Sequence, residues 1–149
     1  MKRDLHFDVV YPHPVERVWT ALTDPAAMGE WLMDTTFEAR LGHRFQFRTT
    51  PRPGFNGIVN CEVTELDPPR RLAYTWHGGW VGRPTVVTYT LDAVPEGTRV
   101  RLDHTGFRGV SGVALSMLLG SGWKSNILGR SLPRTLERLA RDDVVSAER

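Results

Sequence analysis

The chain has 149 residues, 40% of them hydrophobic and 24% charged, with a net charge of +2. That length suits one domain, 1–149, able to bury roughly 70% of the surface its unfolded chain exposes. A single cysteine, Cys61, excludes an intrachain disulfide and any metal cluster built on cysteine pairs, in keeping with a reducing compartment.

No apolar run approaches the ~20 residues that span a bilayer, so no membrane association is expected. Met1 to Asp4 leads straight into a strand pattern without the apolar region of a signal peptide, and a cytoplasmic location is therefore expected. The basic residues are nearly all arginine, spread along the chain among acids rather than clustered, which disfavours nucleic acid as a partner.

Leu5, Phe7, Val9 and Tyr11 alternate with His6, Asp8 and Val10, which predicts a strand with one apolar face. Pro12 ends it, and Pro14 suits the first turn of a helix, where no intrahelical partner awaits its missing N–H. Val15, Val18, Trp19 and Leu22 fall at helical spacing. Asp24-Pro25 is a second helix start, with Asp as N-cap and Pro at the first helical position. Met28, Trp31 and Leu32 give this second helix its apolar side.

Strand patterns return from Thr35. Phe37 and Ala39 mark a short strand, and Phe45 and Phe47 the next. Pro51-Arg52-Pro53-Gly54 is a hairpin loop. Gly57 to Leu66 reads as a long strand with indistinct faces, Val59, Cys61 and Val63 on one side and Ile58, Asn60, Glu62 and Thr64 on the other. After the Asp67–Arg70 turn, Leu72, Tyr74 and Trp76 alternate; after the Gly78–Gly82 loop, Val87, Tyr89 and Leu91 do so; after Val94–Gly97, Val100, Leu102 and His104 follow. Short hairpin connections imply antiparallel pairing, and the absence of βαβ spacing argues against a parallel sheet.

Beyond the Thr105–Ser111 loop, Val113, Leu115, Met117, Leu118 and Leu119 form an apolar segment. The long C-terminal helix starts near Ser121 and is lined by Trp123, Ile127, Leu128, Leu132, Leu136 and Leu139. Pro133 lies inside it, opposite the carbonyl of Gly129, and predicts a kink there rather than a stop. From Asp142 the sequence is polar and is expected to fray.

The order β-α-α-β-β-β-β-β-β-α resembles the helix-grip fold of the START-like, SRPBCC superfamily, an α+β class in which a curved antiparallel sheet wraps a long C-terminal helix. Locally the sequence is most similar to the bacterial branch named for the activator of the 90-kDa heat-shock protein ATPase homologue. The residues that carry this are Pro14 to Pro25, Trp31, Asp67 to Trp76, Gly97 to Val100, His104-Thr105-Gly106-Phe107 and Gly122-Trp123. Relatives often pass directly from the His-x-Gly-Phe loop to the Gly-Trp helix, whereas here Arg108 to Ser121 adds an apolar stretch. That stretch reads as a lid, a dimer contact or added core.

The resemblance implies a pocket between sheet and helix for a small hydrophobic or aromatic molecule, lipid included. It implies, as alternatives, a polyketide cyclase or hydrolase-like enzyme, or a partner of the chaperone ATPase. Strand alternation supplies the lining: Phe45, Phe47, Cys61, Tyr74, Trp76, Val87, Tyr89, Leu102 and His104, facing Trp123 and Ile127. Trp31, Trp80 and Phe107 are expected at the cavity rim.

His104 ends an apolar face, and reads first as a hydrogen-bonded core histidine anchoring the following loop. Its alternative role is an acid or base of neutral pKa, which makes it the one catalytic candidate. Cys61 reads as a small buried hydrophobe. His43 and His77 lack a metal-ligand spacing, and neither a nucleophile elbow nor a phosphate-binding glycine loop is present. No metal or cofactor is expected, and the protein is expected to be a monomer or homodimer.

Overall fold

The computed structural model describes residues 4–51, 53, 56–78, 84–107 and 122–147. Its elements are β1 (Leu5–Tyr11), α1 (Val15–Thr23), α2 (Pro25–Trp31), β2 (Asp34–Thr35), β3 (Arg44–Arg48), β4 (Ile58–Asp67), β5 (Arg71–Trp76), β6 (Thr85–Val94) and β7 (Gly97–Thr105). A π-helical segment, Gly122–Ser131, then runs into α3, Leu132–Ala147. The strands form one curved antiparallel sheet in the order β1-β7-β6-β5-β4-β3-β2.

Because β3, β5 and β7 run parallel to one another, their C-terminal ends share one end of the sheet. The connections after Arg48, Trp76 and Thr105 all leave from that end. The concave face and the C-terminal helix enclose the core, which holds the apolar inward positions of β3 to β7, with Thr85, Thr98 and His104 buried among them.

Asp24 joins α1 to α2. Its backbone N–H bonds the Thr20 carbonyl, and its side chain accepts from Ala27 N–H as an N-cap. The Trp31 indole donates to the Ala21 carbonyl at 2.7 Å, one of the four acceptors that the end of α1 leaves open. Arg138 of α3 holds Glu30 of α2, and Arg17 of α1 holds Asp143 of α3. The three helices are thereby tied into one layer.

Several sequence expectations need correction. The short strand is Asp34–Thr35, not Phe37–Ala39, because Thr35 pairs with Phe47 and the chain then turns Phe37 into the core edge-on to Phe45. The indistinct faces of β4 have a cause: the register shifts between Val63 and Glu65. Thr64 is thus the extra residue, and Leu66 rather than Glu65 faces Leu72.

The C-terminal helix does not fray at Asp142. It continues to Ala147, with Asp142 and Asp143 held by Arg138 and Arg17. At the expected kink the helix changes type instead. Pro133 falls in the first turn of α3, where a missing N–H is tolerated. Proline also cannot serve the carbonyl five residues back, that of Leu128, which π spacing would direct to it. The Tyr11 hydroxyl serves that carbonyl instead, at 2.8 Å. Ser121 and the Val113–Leu119 segment lie outside the described residues.

Candidate functional site: the aromatic concave face

The alternation of β3 to β7 sends Phe45, Phe47, Cys61, Tyr74, Trp76, Val87, Tyr89, Leu102 and His104 to the same side of the sheet, and all are buried. Trp123 is buried against them, and Ile127 is half-buried on the same cluster. Cross-strand register explains why they meet: Phe45 pairs with Cys61, Tyr74 with Val87, Tyr89 with Leu102 and Val87 with His104.

Six rings form a continuous wall. Phe45, Phe47, Tyr74, Trp76, Tyr89 and Trp123 follow one another with centroid separations between 5.3 and 5.9 Å. Most of these contacts are edge-on or tilted, the arrangement ring quadrupoles favour. Trp76, 7% exposed, is the least buried of the six, and its indole N–H has no hydrogen-bond partner among the described residues.

Two polar groups sit inside this wall. The Tyr74 and Tyr89 hydroxyls share one hydrogen bond of 2.7 Å. Burial pushes both phenols above their ordinary range; the Tyr89 hydroxyl pushes Tyr74 up further, while the hydrogen bond with Tyr74 partly offsets the rise at Tyr89. Burial likewise pushes the Cys61 thiol up, so it stays protonated and inert.

His104 is completely buried, and both of its ring nitrogens are engaged. The Trp123 indole N–H can only donate, so Nδ1, at 3.1 Å, must accept and carries no proton. In the neutral ring Nε2–H then donates to Thr85 Oγ1 at 2.7 Å, and the Thr85 hydroxyl donates to the Trp76 carbonyl at 3.1 Å. The bonds run one way, Trp123 to His104 to Thr85 to the β5 backbone, and each proton has an acceptor. Protonating Nδ1 would set two donors face to face. Burial lowers the His104 pKa to about 3, opposed only weakly by Asp4. The imidazole is therefore neutral and hydrogen-bonded on both sides, with no nitrogen left for a substrate proton.

Trp31 and Phe107 are not at a rim. Both are buried: Trp31, the last residue of α2, lies edge-on to Tyr89, and Phe107, two residues beyond β7, is tilted against His104 at a centroid separation of 4.6 Å. Trp80 lies outside the described residues.

Sequence reasoning missed Thr85, although it shares the alternation of Val87 and Tyr89. It also missed an open groove of about 490 Å³ lined by Gly29, Leu32, Met33, Asp34, Arg48, Thr49 and Thr50. No local motif marks that groove, since its walls come from α2, β2 and the end of β3.

A curved antiparallel sheet gripping a C-terminal helix, with its aromatic face turned inward, defines a START-like helix-grip protein. Residues 12–137 match the family described as Activator of Hsp90 ATPase homolog 1-like protein, and the chain belongs to that family. Protein MLL2253 from Mesorhizobium loti is 30% identical, with a TM-score of 0.76 over 94% of this chain and 98% of that one. DynU16, from the dynemicin biosynthetic locus, is 29% identical with a TM-score of 0.73, over 90% of this chain and 47% of that one. CalU16 from Micromonospora echinospora, 22% identical with a TM-score of 0.71 over 95% and 83% of the two chains, shares the fold. No curated relative matches the sequence. Among the described residues, no helix is long and apolar enough to cross a membrane.

Proposed function

We propose that this protein binds a small hydrophobic or aromatic molecule between the concave face of the sheet and its C-terminal helix. The observation that carries the reading is the continuous six-ring wall, opposite a π-helical segment. Ligand sites are mostly apolar with a few placed polar groups. Here those groups are the Tyr74–Tyr89 pair and the Trp76 indole. The guest seats at the loop end of the sheet, where Phe47 and Trp123 flank Trp76, whose indole N–H has no partner among the described residues.

The cyclase-like alternative needed His104 as acid or base, and its engaged nitrogens argue against that role. The chaperone-partner alternative rests on the family description alone.

Titration with lipophilic aromatic probes tests the proposal. Saturable quenching of tryptophan fluorescence is expected, with a rise in melting temperature as the probe binds the folded state. Absence of saturable binding across a broad panel of such molecules would overturn it.

A further inference from the structure

The groove beside α2 lies next to the aromatic wall. Arg48 directly follows Phe47, and Asp34 and Thr35 of β2 are the register partners of Arg48 and Phe47. Leu32 and Met33 are half-buried, packed on the core cluster on one side and lining the groove on the other. They are the residues that the groove and the core cluster share. Methionine suits such a position, because its unbranched side chain can swing aside at little cost.

The groove's own chemistry is asymmetric. The end of β3 contributes donor-bearing residues to the lining, Arg48, Thr49 and Thr50. Among the described residues, Arg48 uses two of its N–H groups, both on the Gln46 side-chain oxygen. Asp34 faces these donors from β2 with no ion pair to Arg48, although the two are register partners.

We infer that this groove is the mouth of the ligand site. Leu32 and Met33 are its gate, and the Arg48–Thr50 wall receives an oxygen-bearing, anionic head on an otherwise apolar guest. The inference rests on the binding proposal above and adds to it the route and the amphipathic character of the ligand. Asp34 tempers the site: removing its charge strengthens binding of an anionic head, and removing that of Arg48 weakens it.

Two probes separate head from body. N-phenyl-1-naphthylamine is neutral, and 1-anilinonaphthalene-8-sulfonate adds one anionic group to the same rings. Arg48→Gln is expected to raise the Kd of the sulfonate about three- to fivefold, the scale of an exposed charge contact, and to leave the neutral probe within about twofold. Asp34→Asn is expected to lower the Kd of the sulfonate. Met33→Trp is expected to slow both association and dissociation of the neutral probe about tenfold, with little change in Kd, as for a barrier on the path rather than a contact in the site.

Wild-type binding that ignores Arg48→Gln and Asp34→Asn, or a Met33→Trp variant with an unchanged association rate, would overturn the mouth while leaving the binding proposal intact. Failure of these probes and of the broader panel to bind the wild-type protein would overturn both.

Discussion

Replacing His104 with Phe tests whether the buried imidazole is structural. A phenyl ring keeps the contacts with Phe107, Trp76 and Trp123 but provides neither donor nor acceptor. Trp123, 1% exposed, then holds an indole N–H with no acceptor, while Thr85 keeps the Trp76 carbonyl. An orphaned buried donor costs about 1–3 kcal/mol, and the lost bond to Thr85 adds about 1 kcal/mol. A destabilisation of about 2–4 kcal/mol at pH 7 is therefore expected from urea unfolding, with an unchanged m value.

The same residue sets a pH dependence of known sign. His104 has a folded pKa of about 3 against an ordinary value of 6.5, so between these values the unfolded chain binds the extra proton. Its contribution is fully present above about pH 6.5 and is lost as pH falls toward about 3. The slope approaches 1.4 kcal/mol per pH unit, and the total is roughly 5 kcal/mol. His13, also lowered by burial and by Arg17, adds to the slope in both proteins and cancels in their difference. Stability measured at intervals from pH 7 to pH 4 should fall more steeply for the wild type than for His104→Phe. The two curves should therefore converge. Parallel curves would refute the neutral, doubly hydrogen-bonded histidine, and with it the case against acid–base chemistry at this site.

Tyr11→Phe leaves the Leu128 carbonyl unserved and should cost about 1–2 kcal/mol by denaturant unfolding. In a Pro133→Ala background, which restores an N–H five residues along, the cost should shrink; equal costs in both backgrounds would show that proline is not the reason Tyr11 is needed. Gly97→Ala should be far more damaging. Gly97 sits at φ 140°, and a Cβ there would lie 2.1 Å from the Tyr11 carbonyl oxygen, so a soluble variant with near wild-type melting temperature would contradict the geometry.

The sequence by itself determined every strand but β2, with their inward faces and their order along the chain, because period-two alternation and turn residues are local signals. It also determined the Asp24 cap and the inward ring set from Phe45 to His104, all of which follow from which side of a strand a residue occupies. Only the tertiary structure decided what those residues do. His104 is an inert link because Trp123 and Thr85, each 19 residues away in sequence, approach it from opposite sides. The fate of the C-terminal helix at Pro133 depended on Tyr11, 117 residues from the carbonyl it serves. The groove at Leu32, Met33 and Arg48 was invisible for the same reason. Its walls meet only once β2 pairs with β3, and no local periodicity encodes that meeting.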